Sequence, residues 1–208
     1  MKLVVLGATG GIGLEIVRQA IDRGHSVTAF VRLPDRLAAF QVRIASEQGD
    51  LLSASDLERA IQGNDAILSA FGPRLPLVKA GANLLRDFAS ALTSAMRRGS
   101  VRRLVIVSTA FLFRDSILPP TYLVGRLFFP GVVAGASAME RTIADSGLDW
   151  TIVRPPKLTE KPPSRRYRLR EGHLPLFGFN ICRADVADCL IKAAEDCAYA
   201  GKVLGVSN

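Results

Sequence analysis

Lys2-Leu3-Val4-Val5-Leu6-Gly7-Ala8-Thr9-Gly10-Gly11-Ile12-Gly13-Leu14 limits the fold more tightly than any other stretch. The short apolar run reads as a strand buried on both faces. Glycines break it and lead into Ile12, Ile16, Val17, Ala20 and Ile21, spaced along one face of a helix. Strand, glycine turn and helix together aim free backbone N–H groups at a phosphate, with the positive end of the helix dipole behind them. Gly7 permits the tight turn, Gly10 lets the backbone approach a pyrophosphate, and Gly13 lets the helix pack close to the strand. Thr9, Gly11 and Ile12 complete the candidate loop. A Walker A loop is excluded, because no Gly-Lys-Ser/Thr follows.

The spacing Gly7-x-x-Gly10-x-x-Gly13 departs from the G-x-G-x-x-G of the usual dinucleotide fingerprint. As Gly-Ala-Thr-Gly-Gly-Ile-Gly it resembles the nucleotide loop of the atypical short-chain dehydrogenase/reductases, the branch without a dependable Tyr-x-x-x-Lys pair. The fold expected is α/β: a Rossmann-type, doubly wound, mostly parallel sheet with helices on both faces and a small C-terminal substrate lobe. The 208 residues suit one such domain.

Gly24-His25 closes the first helix, with His25 read as a solvated turn residue, and Ser26–Val31 is the second strand. An NAD site wants an acid at this strand's end to accept from the ribose 2′-OH. Here Arg32 follows the strand and Arg36 lies one helical turn further on. Guanidinium groups offer the charge and donor fork that suit a 2′-phosphate. NADP(H) is therefore the expected cofactor, and NAD(H) stays open because Asp35 is an acidic rival unless it serves as a cap.

A third strand lies within Gln41–Glu47 and runs to Gly49-Asp50-Leu51, where Asp50 is either a cofactor contact or a turn residue. Ser55-Asp56-Leu57-Glu58 reads as a capping box for a helix that stops at Gly63. Asp65–Ala70 is a fourth strand, and its exit, Phe71-Gly72-Pro73-Arg74, is placed to touch ribose or pyrophosphate. Val78–Arg98 is a long helix whose Leu84, Leu85, Phe88, Leu92 and Met96 stripe is core. The fifth strand, Val101–Val107, ends in the hydroxyls of Ser108 and Thr109, at the strand end where open α/β sheets bind ligands. Thr109 is the one expected to face nicotinamide and acceptor. Leu127–Ala138 is either a packed helix or a wall of a pocket or dimer contact. Trp150–Val153 is the sixth strand, stiffened at its exit by Pro155 and Pro156. Tyr167–Arg170 reads as a solvated edge strand, or as a cationic lip with Arg166, Arg168 and Arg170 on one face and His173 nearby. Asp185–Asp196 is a closing helix and Lys202–Val206 a last strand.

Ser108-Thr109-Ala110-Phe111-Leu112, Leu118-Pro119-Pro120, Met139, Ser146-Gly147-Leu148, Arg154-Pro155-Pro156 and Arg183-Ala184-Asp185-Val186-Ala187 occur in an order similar to the biliverdin IXβ reductase/NADPH-flavin reductase group. That resemblance implies Asp50 and Leu51 beside the adenine, and the backbone at Pro155 and Pro156 around the nicotinamide amide. It also implies hydride transfer from NADPH to a flat conjugated acceptor: a flavin, a quinone or a linear tetrapyrrole. Such acceptors take their proton from water, so a dedicated acid is dispensable. Tyr122 with Arg126 four residues later echoes the older Tyr/Lys pair, although Arg is not equivalent to Lys. The alternative is a non-catalytic NADP(H) sensor similar to the NmrA-like regulators.

The net charge is +8, and most of the 27 basic residues are arginine. They are scattered apart from Arg97-Arg98 with Arg102-Arg103, which flank a helix end, and the cluster at 165–170. An anionic cofactor and an anionic aromatic acceptor explain this better than nucleic acid. Cys182, Cys189 and Cys197 form no C-x-x-C, so neither metal nor a disulfide framework is expected. Met1-Lys2 opens no signal peptide, and prolines and Arg126 interrupt the nearest thing to a membrane span, Leu118–Met139. The expectation is a cytoplasmic monomer or homodimer.

Overall fold

The structure is a computed structural model that describes every residue except 34–36, 38–39, 41, 73–80 and 117–119. In chain order its elements are β1 (Lys2–Leu6), α1 (Gly11–Asp22), β2 (Ser26–Val31), β3 (Ala45–Gln48), α2 (Ala54–Ile61), β4 (Ala66–Ser69), α3 (Gly81–Arg98), β5 (Arg103–Val107), α4 (Thr121–Phe128), α5 (Pro130–Ala144), β6 (Asp149–Arg154), β7 (Lys157–Thr159), β8 (Arg168–Glu171), β9 (Asn180–Cys182), α6 (Arg183–Glu195) and β10 (Lys202–Ser207). Eight strands form one sheet in the order β3-β2-β1-β4-β5-β6-β10-β8, and β7 and β9 form a separate pair. Every neighbouring pair described is parallel except β8 with β10. This is the doubly wound α/β architecture expected from the glycine turn.

The apolar run of β1 shows how both faces are used. Leu3 and Val5 join Ile16, Val17, Val186 and Leu190 of α1 and α6 in one core. Val4 and Leu6 join Leu57, Phe88, Leu92 and Met139 of α2, α3 and α5 in the other. A strand covered on both sides has no polar face, so its residues do not alternate. From β1 the chain winds outward through β2 and β3, then returns to place β4 on the other flank of β1. The strand order reverses there, and the C-terminal ends of β1 and β4 open a crevice.

Several elements differ from the reading of the sequence. Strand β3 is short and begins at Ala45, within an exposed stretch that offered no apolar alternation. The cap of α2 is Ser53, whose hydroxyl accepts from the Asp56 amide at 3.3 Å, and not Ser55. Leu127–Ala138 is no single helix: the chain breaks at Phe129, Pro130 takes the first turn of α5, and Leu127 and Phe128 are exposed. His25 is not solvated, since its ring Nε2 lies 2.8 Å from Glu195. No single described helix is long and apolar enough to cross a membrane; α4 and α5 pass that test together but are bent by 114°.

The N-terminal edge of the sheet is tied by polar contacts. The Lys2 amide donates to Asp65 at 2.7 Å, Arg98 pairs with Glu58 at 2.7 Å and Arg102 with Asp149 at 3.6 Å. Arg103, read with Arg97, Arg98 and Arg102 as a cation flanking a helix end, is buried. Its guanidinium donates to the Asp149 carbonyl and the Thr151 hydroxyl at 2.7 Å each, and to the Ala193 carbonyl. It therefore joins β5, β6 and the end of α6, and burial holds its pKa below the ordinary arginine value.

Candidate active site

The glycine turn stands at the centre of the C-terminal edge. Gly7 has φ +78°, a conformation that L side chains rarely adopt. A Cβ there would also come within 3.0 Å of the Ala70 and Phe71 backbone, where β4 ends. A Cβ on Gly13 would run into the Gly7 carbonyl, so α1 sits against its own strand. The Gly10 amide donates to the Gly7 carbonyl at 3.0 Å and the Leu14 amide to the Gly10 carbonyl at 2.8 Å. No side chain caps α1 and no acid stands in its first turn. Its first-turn amides and dipole are thus offered to an anion between β1 and β4. Thr9 is half-buried at the turn, Gly11 opens the helix, and Ile12 anchors it in the core.

Along the same edge, β2 delivers Arg32. Its side chain is exposed, it has no carboxylate partner among the described residues, and its carbonyl accepts from Gln48 at 3.1 Å. Arg36 and Arg74 lie outside the described residues, as do Asp35 and Leu118-Pro119. Asp50 shapes a turn: its carboxylate accepts from the Leu52 amide at 3.0 Å, and its own amide donates to Asp56 at 3.0 Å. That amide is the chief reason the Asp56 carboxyl is held below the usual range. Leu51 packs on the core, and the Phe71 ring lies 4.7 Å from Phe88, which leaves Gly72 exposed with open space around it.

The exits of β5 and β6 are joined. The Ser108 amide donates to the Val153 carbonyl at 2.8 Å, and the Ala110 amide to the Pro155 carbonyl at 3.0 Å. The Thr109 hydroxyl accepts from the Phe111 amide at 3.2 Å and so caps the 3₁₀ turn at 110–112. The Ser108 hydroxyl is buried without a hydrogen-bond partner. Pro155 is buried and Pro156 half-buried at the start of the segment leading to β7. Arg154 forms a two-pronged ion pair with Glu140 of α5, its Nε 2.9 Å from one carboxylate oxygen, and its guanidinium lies 4.8 Å from the centre of the Phe113 ring. This buried pair escaped the sequence reading. Its signal was Glu140 on the core-facing side of α5, beside Met139 and between Ala136 and Ile143, where an acid needs a cation.

Beyond Thr109 the chain builds a cavity of about 250 Å³, lined among others by Leu112, Arg114, Tyr122, Arg126, Val133 and Ser137. Tyr122 and Arg126, one turn apart on α4, both face it, and the Arg114 guanidinium stands 5.9 Å from the Tyr122 ring centre. Helix α4 is fixed from below: the Thr121 hydroxyl donates to the Ala110 carbonyl at 3.0 Å, and Gly125 presses on Phe111. Ser108 and Thr109 do not line this cavity but begin the turn that supports it. His173 pairs with Asp115 next to Arg114, and that bond holds the Asp115 carboxyl below its usual range. Segment 164–170 is tied down. Tyr167 donates to Asp188 at 2.7 Å, and Arg168 donates to the Leu176 carbonyl at 2.7 Å and the Asn208 carbonyl at 2.8 Å. Burial, then the Asp188 bond, raise the Tyr167 pKa. Strand β8 is the exposed edge strand of the simpler reading.

A parallel sheet whose order reverses beside a glycine turn and an uncapped helix end has the form of a dinucleotide-binding Rossmann fold. The sequence profile described as NAD(P)H-binding matches residues 7–197, and the chain belongs to that family. An uncharacterised chloroplastic protein of Arabidopsis thaliana is 31% identical over 201 residues, covering 92% of this chain and 71% of that one. A short-chain dehydrogenase/reductase from Veillonella parvula, solved in complex with NADP, superposes with a TM-score of 0.83 at 18% identity, covering 100% of this chain and 94% of that one. ChuY, an anaerobilin reductase from Escherichia coli O157:H7, superposes with a TM-score of 0.81 at 19% identity, covering 100% and 97%. The uncapped first turn of α1 and the close approach that Gly7 and Gly13 allow fit an NAD(P)H cofactor.

Proposed function

We propose that this protein is an NADPH-dependent reductase that passes hydride to a flat conjugated acceptor, a flavin, a quinone or a linear tetrapyrrole, with anionic acceptors favoured. The observation that carries this reading is the cavity beyond β5, walled by Arg114, Arg126 and the Tyr122 ring, with no carboxylate among the described residues of its lining. Two guanidinium groups and a ring suit an aromatic anion. The NADP complex and the anaerobilin reductase among similar structures support the same class of chemistry. When bound, NADPH supplies the hydride.

The chain's own residues bind and orient. The free amides of Gly11, Ile12 and Gly13, with Thr9, would hold the pyrophosphate, and Arg32 would hold the 2′-phosphate. Asp50 and Leu51 would border the adenine; Phe71 and Gly72 would border the ribose and pyrophosphate. Because the Pro155 carbonyl is engaged by Ala110, the backbone at Pro156 is left for the nicotinamide amide. The Thr109 hydroxyl uses one lone pair as a cap, whereas the Ser108 hydroxyl beside it has neither its donor nor its lone pairs engaged, so Ser108 would gain most from a ligand. Tyr122 stacks on the acceptor rather than donating a proton to it.

Purified protein should oxidise NADPH with FMN, a benzoquinone or biliverdin, and Arg126→Gln should raise KM for the anionic acceptors while changing kcat little. Arg32→Ala should weaken NADPH by about ten- to a hundredfold, the worth of a charge-assisted contact of roughly 1.5–3 kcal/mol, and leave NADH nearly unchanged. Tight NADPH binding with no turnover across the panel would defeat the reductase reading. Equal weakening of both nucleotides would defeat the 2′-phosphate assignment.

A further inference from the structure

Strands β7 and β9 pair in parallel with Thr159 opposite Cys182. The next residue on each strand, Glu160 and Arg183, therefore leave the small sheet side by side, and their side chains form an ion pair. Arg183 is also the first residue of α6, which lies along α1: the Gln19 side-chain amide donates to the Ala184 carbonyl at 2.9 Å. The arginine stem consequently covers the first residue of α1. A Cβ on Gly11 would fall 2.6 Å from Arg183 Cδ and 2.8 Å from its Nε, so any other residue there would make the arginine shift. Gly11, Glu15, Arg183, Glu160 and Lys161 are among the residues that line one cavity of about 250 Å³, with Glu15 paired to Arg18 at 2.5 Å.

The two partners are unequal. Arg183 is 29% exposed and backed by Gly11, whereas Glu160 is 84% exposed and reaches in from solvent. An ion pair with so exposed a partner adds little stability. A guanidinium–phosphate contact is stronger and can use two parallel donors. We propose that Arg183 is a pyrophosphate ligand whose place-holding partner is Glu160, so that the cofactor's diphosphate displaces a carboxylate of the chain itself when it docks on α1. The inference rests on the dinucleotide reading of the glycine turn and adds residues from the far end of the chain to it. Lys161 gives the displaced loop a second cation facing the same space.

Calorimetric titration of the full chain tests this, with NADP⁺ and with adenosine 2′-monophosphate, which lacks the diphosphate. Arg183→Gln should weaken NADP⁺ by about tenfold and leave adenosine 2′-monophosphate unchanged, which also reports that the variant is folded. Glu160→Gln should tighten NADP⁺ several-fold, because the competing carboxylate is gone. NADP⁺ affinity within twofold of wild type in Arg183→Gln, or weaker binding in Glu160→Gln, overturns the proposal, as does loss of both ligands in Arg183→Gln. A wild-type chain that binds neither NADP⁺ nor NAD⁺ overturns the dinucleotide reading as well, which separates the two failures.

Discussion

Ser108 leaves β5 with its amide bonded to Val153 and its hydroxyl buried without a partner, while Thr109 beside it caps the next turn. A buried hydroxyl with nothing to bond costs about 1–3 kcal/mol. On the proposed reading, its presence at the C-terminal end of β5 is explained by what it binds rather than by what it adds to the fold. Ser108→Ala should therefore raise the unfolding midpoint by a few degrees, since about 1 kcal/mol corresponds to roughly 2–4 °C at this size. The same substitution should slow single-turnover NADPH oxidation by about tenfold, a loss of about 1.4 kcal/mol in the transition state. Thr109→Ala should do the reverse: lower the midpoint through a lost cap and leave the chemical step nearly intact. Parallel melting curves and stopped-flow traces decide it, and a slow Thr109→Ala with a normal Ser108→Ala would return the role to the threonine. This difference was invisible in the sequence, where the two hydroxyls are adjacent and only a folded chain shows which one is occupied.

Elements with a strong period were legible from the sequence. Strand β1, helix α1, strand β2 and the stripe of α3 follow from apolar spacing alone, and the glycine turn was readable because backbone geometry there permits only glycine. Three-residue strands carry no period, so β7 and β9 went unseen, and with them the pairing of Glu160 with Arg183. The cavity lined by Arg114 and Tyr122 was legible only in part: residues 127–138 read as a packed helix or as a wall of a pocket or dimer contact, and only α4 turning back on Phe111 makes them a cavity wall. The start of α6 shows the cost of such elements. Asp185 is fully buried and accepts from the Ser164 amide at 3.0 Å, the Ser164 hydroxyl at 2.7 Å and the Arg165 amide at 2.9 Å, fastening the loop after β7 to the helix. Burial alone would push its carboxyl up, but these donors outweigh it and the net pKa is lowered. A depressed folded-state value means that stability from this group is full above the unfolded carboxylate value of about 3.9. It is lost as pH falls through the folded value. Asp185→Asn should accordingly destabilise at neutral pH and flatten the acid limb of a stability–pH curve below about pH 4. An acid limb identical to wild type would refute the assignment.

At the scale of the whole molecule the two edges of the sheet differ in kind. The C-terminal edge carries the uncapped end of α1, the orphan Ser108 hydroxyl and the exposed Glu160. The N-terminal edge is closed by Arg103, with Lys2–Asp65 and Arg98–Glu58 beside it. Hydrogen exchange should report this division: NADPH should slow exchange around residues 8–14, 108–112 and 159–165 and leave the first residues of β5 and β6 unchanged. Uniform slowing at both edges would mean that the cofactor stabilises the fold globally instead. The Arg103 clasp has a further consequence for how such a protein changes over generations. It joins strands and helix at the end away from the glycine turn, so loops at the other end can be lengthened, exchanged or rebuilt without loosening it. On the proposed reading, a new acceptor is then a matter of rewriting the residues that line the cavity on an unaltered foundation, and a failed rewrite leaves a folded protein that still holds its nucleotide.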